Sequence, residues 1–220
     1  MSGIETRVAV LIVNYNAGDA LTRCVESVLS QGRGMRVMIV DNASTDNSAR
    51  SVNDLFGRLD NVSVMFNEEN LGFSRAVNQA ANRLQESAYP SLLVLNPDCE
   101  LFPGALRTLV EALENHPTAA MAGPSVVDRH GAPMRGTYRR FPDPWRSFLT
   151  FSGLWRLGRS FSSFEGVEPI RDLPLEVTEA EALSGACMLV RKDAFFQLGG
   201  MDEAYGLHCE DLDLMYRMEQ

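Results

Sequence analysis

The stretch LLVLNPDCELF, Leu92 to Phe102, decides how the rest of the chain is read. Leu92 to Leu95 are apolar without alternation, the pattern of a strand buried on both faces. The run stops at Asn96-Pro97 and is followed by Asp98 and Glu100. Pro97 holds Asn96 extended and so aims the turn. A strand covered on both faces belongs to a mainly parallel sheet, whose ligands bind beyond the carboxyl ends of the strands. Asp98 therefore sits where a ligand is expected.

The flanking sequence repeats the pattern. RVAVLIVNYN ends at Asn14 and Asn16, MRVMIVDNAST places Asp41 past Val37 to Val40, and NVSVMFNE ends near Asn67. Between these runs lie helical patterns: Leu21, Val25, Val28 and Leu29; Ala49, Val52 and Phe56; Phe73, Val77, Ala80 and Leu84. A helix opened by Pro103 and a weaker strand in AAMAGPSVV follow. Alternating β and α units predict an α/β fold, a mainly parallel central sheet with helices on both faces. Asp128 to Leu173 lose this regularity and read as a lid, a binding loop or a disordered stretch. ALSGACMLVRK then reads as a strand, DAFFQLGG as a short helix, and EDLDLMYRMEQ as a helix still running at Gln220, which suggests a C-terminal region beyond it. The chain is expected to be a single domain made of a regular half, 1–127, an irregular segment, 128–173, and a closing part, 174–220.

Composition narrows the partners. The 220 residues carry a net charge of −9, which argues against nucleic acid. An acidic site still accepts a diphosphate when a divalent cation lies between them. The four cysteines form no CxxC pair and read as reduced thiols. No apolar run approaches the roughly 18–20 residues of a membrane span, and the N-terminus lacks secretory features, so a cytoplasmic location is expected.

The candidate chemistry follows from position. VNYNAGDAL, the first βα turn, is not the GxGxxG of a dinucleotide fold, and Gly32 and Gly34 precede a strand, on the wrong edge for one. Asp41 can accept a hydrogen bond from a base N–H or a ribose hydroxyl, while Asn42, Ser44, Thr45 and Asp46 read as helix-start residues. In NLGFSRAVNQA, Asn70 and Gly72 open a helix, Gly72 admits close backbone approach, and Arg75 reaches either a phosphate or solvent. Asp98 and Glu100 are hard oxygen donors suited to Mg²⁺ or Mn²⁺; Glu100 either ligates or faces solvent. Glu210, Asp211 and Asp213 crowd the first turn of the last helix, where capping and general-base readings both stand. His208 is more in keeping with a supporting role than with ligation. Ser184-Gly185-Ala186 interrupt an apolar strand and permit close approach of a ligand or of backbone.

Taken together, VLIVNYNAGDALTRCVESVLSQ, MIVDNASTDNS, NLGFSRAVNQA, LLVLNPDCEL, LSGACMLVRKDAFFQLGGMDEAY and EDLDLMYR resemble the family 2 glycosyltransferases, and among them the rhamnosyltransferase-like group. The resemblance implies a nucleotide-diphospho-sugar transferase (GT-A) fold and inverting transfer to a cell-surface polysaccharide or lipid-linked acceptor. It places Asp41 at the nucleotide base, Tyr15 and Asn16 at the nucleoside, and Asp98 at the metal-binding carboxylate. Asp211 becomes the base of a Glu-Asp pair with Glu210. Asn96 stands where the metal motif usually begins with aspartate, which shifts weight onto Asp98 and leaves a binding-only member as the alternative. Arg139 and Arg140 are candidate phosphate clamps. Phe148, Phe151, Leu154, Trp155, Leu157 and Phe161, with Arg156 and Arg159, suit a lid over the site, a packing helix or a peripheral membrane contact.

Overall fold

A computed structural model describes residues 7–134, 136–159, 161–169, 174, 176–205 and 209–220, without the side chains of 159 and 162. Four strands, β1 (Val8–Asn14), β2 (Met35–Asp41), β3 (Val62–Phe66) and β4 (Ser91–Leu95), alternate with α1 (Asp19–Leu29), α2 (Ser48–Phe56) and α3 (Phe73–Arg83). Then come α4 (Ala105–Asn115), β5 (Met121–Ala122), β6 (Tyr138–Arg139) and α5 (Pro144–Ser152). The chain continues through 3₁₀ turns at Leu154–Arg159 and Ser162–Phe164 to β7 (Ala182–Leu183), β8 (Cys187–Arg191), α6 (Lys192–Gln197) and α7 (Glu210–Glu219).

The main sheet has the order β3-β2-β1-β4-β8-β5. β1 to β4 are parallel, and β8 runs antiparallel between β4 and β5. Every residue of β1 is buried because the strand's two-residue period serves two cores. Val8, Val10 and Ile12 pack with Leu21, Val25, Val52 and Leu106 on one face. Ala9, Leu11 and Val13 pack with Val77, Ala80, Phe195 and Leu214 on the other. β4 divides likewise, Leu93 and Leu95 toward the first core and Leu92 and Val94 toward the second.

The structure corrects four expectations. The segment 128–173 is partly regular: Asp143 caps α5 by accepting from the Arg146 N–H at 2.8 Å, with Pro144 at the first helical position. Periodicity hides this helix because Leu149 is its sole buried residue. The strand expected in ALSGACMLVRK splits at Ser184-Gly185-Ala186. Its first half, β7, pairs with β6 in a separate two-stranded ribbon, and β8 joins the main sheet. α2 begins at Ser48, since the residues before it are engaged by the first loop, and α4 begins beyond a left-handed Gly104 rather than at Pro103.

Candidate active site

Sheet period and register assemble the first part of the site. Asn14 and Asp41 end β1 and β2 as register partners and share the face that carries α1 and α2. Asn14 is fully buried, and its Nδ2 lies 2.7 Å from Asp41 Oδ1, 3.0 Å from Ser44 Oγ and 2.8 Å from Ser48 Oγ. Asp41 Oδ2 accepts the Ser44 N–H at 3.2 Å. Asn16 Oδ1 accepts the backbone N–H groups of Thr45 and Asp46 at 2.8 and 3.2 Å, and the Gly18 N–H donates to Asp46 at 2.9 Å. Burial raises the Asp46 carboxyl, but hydrogen bonds from the Ser48 hydroxyl and from the Gly18 and Ser48 N–H groups outweigh it, leaving the group below its ordinary value. Asn16 thus straps two loops together, while Tyr15 is left exposed. A cavity of about 360 Å³ opens beside them, lined by Asp41, Ala43, Ser44, Arg50, Phe66 and Asn67 among others.

Asn42, which the sequence offers only as a helix-start residue, is a buried hub. Its Nδ2 donates to Asn70 Oδ1 and the Gly72 carbonyl at 2.8 and 3.1 Å. Its Oδ1 accepts Asn67 Nδ2 and the Leu71 N–H, both at 3.1 Å. These bonds fix the loop that carries Asn70 and Gly72, where Gly72 has φ 84°, a left-handed value that favours glycine. Asn42→Ala leaves the Leu71 N–H and Gly72 carbonyl without that partner. The expected loss of stability is about 2 kcal/mol or more, read as a lower urea midpoint at constant slope; a loss under about 0.5 kcal/mol would show that solvent replaces the hub.

Arg75 lies one turn into α3 and pairs with Glu203 at 3.3 Å, both groups about half exposed. Among the described residues, the positive-φ positions other than glycine are Asn16, Ala43 and Cys209. The first two lie in the loops just past β1 and β2, and the third precedes α7. Backbone strain of this kind gathers at functional sites.

The second part forms where β4 meets β8. The Asn96 N–H donates to the Ala186 carbonyl at 2.9 Å, tying the Asn96–Asp98 turn to the Gly185-Ala186 break. Gly185 lies against Asp211: a Cβ there would collide with Asp211 Oδ2. The small residues therefore serve close approach of a carboxylate. Asp211 is 9% exposed and accepts the Leu212 N–H at 2.8 Å. Its Oδ2 also accepts from Arg139, whose guanidinium is held on the Leu183 carbonyl at 2.8 and 3.0 Å. Arg140 pairs with Glu165 at 2.9 Å. Glu210 is partly buried, and its Oε2 has no hydrogen-bond partner among the described residues.

The carboxylates of the turn divide. Glu100 pairs with Arg23 at 3.0 Å, both more than half exposed. Asp98 is exposed and has no ion-pair or hydrogen-bond partner among the described residues. His208 lies outside the described residues. Among those described, no group of three or more His, Cys, Asp or Glu side chains is arranged to hold a metal. A single uncommitted carboxylate nevertheless fits Mg²⁺ or Mn²⁺, which takes much of its coordination from phosphate and water. The thiols beneath the turn are unsuited to the task. Burial pushes Cys99 up to about 11 and Cys187 up to about 12, and raises Cys24 further. All four cysteines are free.

The glycosyl transferase family 2 profile matches residues 9–196, and the chain belongs to that family. It is 32% identical over 220 residues to the N-acetylglucosaminyl-diphospho-decaprenol L-rhamnosyltransferase of Mycobacterium tuberculosis, covering 95% of this chain and 69% of the relative. GalNAc-T7, crystallised with UDP, GalNAc and Mn²⁺, has a TM-score of 0.68 at 20% identity, over 96% of this chain and 39% of its own. S. aureus TarS 1-349 has a TM-score of 0.62 at 16% identity, over 96% of this chain and 55% of its own. The chain shares the fold of these two structures and spans about half or less of their length. Among the described residues, no helix is long and apolar enough to cross a membrane.

Proposed function

We propose that the chain is a metal-dependent, inverting glycosyltransferase. It moves a sugar, rhamnose from dTDP-rhamnose being the first candidate, to a hydroxyl of a lipid-linked saccharide in cell-surface polysaccharide synthesis. The observation that carries this reading is the continuity of the β4–β8 corner: the turn bearing Asp98 is bonded to Ala186, and Gly185 lies against the Asp211 carboxylate. A leaving-group site and a base thereby share one sheet edge. The relatives supply the rest: an acceptor carried on diphospho-decaprenol in one, UDP with Mn²⁺ in another.

Residues 1–127 bind the donor. Asp41 accepts from the base or ribose at the cavity, Asn14 and Asn16 hold the loops around it, Asn70 and Gly72 follow in the loop fixed by Asn42, and exposed Tyr15 meets the nucleoside. Asp98 would hold Mg²⁺ or Mn²⁺, and that ion would supply neutralisation of the charge on a departing diphosphate. Asp211, supported by Glu210, takes the proton of the acceptor hydroxyl as that oxygen attacks the anomeric carbon. One base and one displacement invert the configuration. Residues 128–173 serve the acceptor side together with 174–220, and the enzyme works at the cytoplasmic face of a membrane. Arg139 on Asp211 and Asn96 in the metal motif favour a second reading, a member that binds nucleotide-sugar without turning it over.

The test is product formation with dTDP-rhamnose, a lipid-linked GlcNAc acceptor and Mn²⁺, alongside thermal shift with a nucleotide-sugar panel. A donor at 100 times its dissociation constant adds about 2.7 kcal/mol of stability. Product with a shift supports transfer, a shift without product supports the binding-only member, and neither with any nucleotide-sugar overturns both.

A further inference from the structure

We propose that the outward face of α5 and the 3₁₀ turns after it is a docking surface for an anionic lipid bilayer. α5 buries Leu149 completely and turns Trp145, Phe148 and Phe151 outward, three residues apart; Phe151 is 90% exposed. Beyond the left-handed Gly153 the chain adds exposed Leu154, Leu157 and Phe161. Trp145 and Phe148 stack at 5.7 Å, so the face presents a connected aromatic surface. The other large exposed apolar residues are dispersed along the chain. A contiguous apolar patch of this kind marks an interaction site.

Charge selects the occupant. Residues 128–160 contain seven arginines, two aspartates and neither glutamate nor lysine, in a chain of net charge −9. Arg139, Arg140 and Arg146 are engaged by Asp211, Glu165 and Glu181, whereas Arg156 is exposed among the apolar residues, its guanidinium 5.0 Å above the Trp155 ring. Aromatic and leucine side chains with interspersed arginine suit an interface that is apolar below and anionic above. A two-fold contact between copies would bring two arginine-bearing faces of this kind together.

The placement has a purpose. Arg146 anchors α5 to Glu181 at 2.7 Å, and Glu181 adjoins β7, the strand paired with the one that carries Arg139 to Asp211. A face seated on a bilayer holds the β6–β7 ribbon and the base at the surface where a lipid-linked hydroxyl emerges. This inference deepens the membrane reading above, but its test requires no catalysis, so the failure of either is seen separately.

Both tryptophans of the chain, Trp145 and Trp155, lie in this segment, so intrinsic fluorescence reports on it directly. The full chain is floated with phosphatidylcholine vesicles containing one quarter phosphatidylglycerol, and with phosphatidylcholine alone. The expected result is binding to the anionic vesicles, weakened by salt, with a blue shift of tryptophan emission. The double variant Phe148→Ser, Phe151→Ser lowers partitioning by roughly tenfold or more, and Arg156→Glu by roughly fivefold. Each keeps the parent's melting temperature within a few degrees because the substituted side chains are exposed. Absence of parent binding, undiminished binding by the variants, or burial of the patch in a dimer by sedimentation would overturn the proposal.

Discussion

Asp211→Asn is expected to lower kcat about 10³-fold, within the range removed with a general base, while changing donor affinity less than about threefold. The substitution keeps the shape of a side chain that is 9% exposed and packed against Gly185, where no extra atom is accommodated. It keeps an oxygen to accept the Leu212 N–H, now 2.8 Å from Oδ1. What it removes is the ability to take a proton from the acceptor, together with the charge that pairs with Arg139. Arg139 retains its bonds to the Leu183 carbonyl, so the β6–β7 ribbon stays attached. Single-turnover product formation and donor titration on the same preparation separate the two quantities. A rate within about threefold of the parent would remove Asp211 from the chemistry; loss of donor binding in step with the rate would make its role structural.

The sheet was legible in the sequence because its strands are buried on both faces. LLVL and VAVLIV have no polar residue to hide their limits, and each run ends where polar side chains begin. That edge drew attention to Asn14, Asp41 and Asp98; the acidic turn of α7 left Glu210, Asp211 and Asp213 together, and the family resemblance singled out Asp211 among them. The connections between them were not legible. Asn42 looks like any capping residue, and its hub role depends on a loop 25 to 30 residues away. Asn16 likewise spends its side chain on a neighbouring loop. Arg139, read as a phosphate clamp, meets Asp211 across 72 residues through a ribbon of two-residue strands, too short to announce itself by alternation. α5 escaped because its outer face is as apolar as its inner one, which erases the amphipathic period. The signals available for it were Asp143-Pro144 at its start and Gly153 at its end.

The second large effect separates the two acids of the opening stretch. Asp98→Asn is expected to lower metal-supported turnover by roughly 10² to 10³, the scale of losing stabilisation of charge that develops in the transition state. Folding stability should change by no more than about 0.5 kcal/mol, since Asp98 is exposed and unpaired among the described residues. The added thermal stabilisation that Mn²⁺ gives a nucleoside diphosphate complex should disappear, with the metal-free shift unchanged. Glu100→Gln should do little: its pair with Arg23 spans 3.0 Å between side chains 57% and 55% exposed, and solvent-screened pairs contribute about 0–1 kcal/mol. The contrast is the informative quantity, because both residues lie on one short turn and a general loss of negative charge would affect them alike. Equal losses would trace to the summed negative charge of the turn and would overturn Asp98 as the specific ligand. No loss at Asp98 would move the cation elsewhere and leave Asp211 as the sole chemical group of this edge.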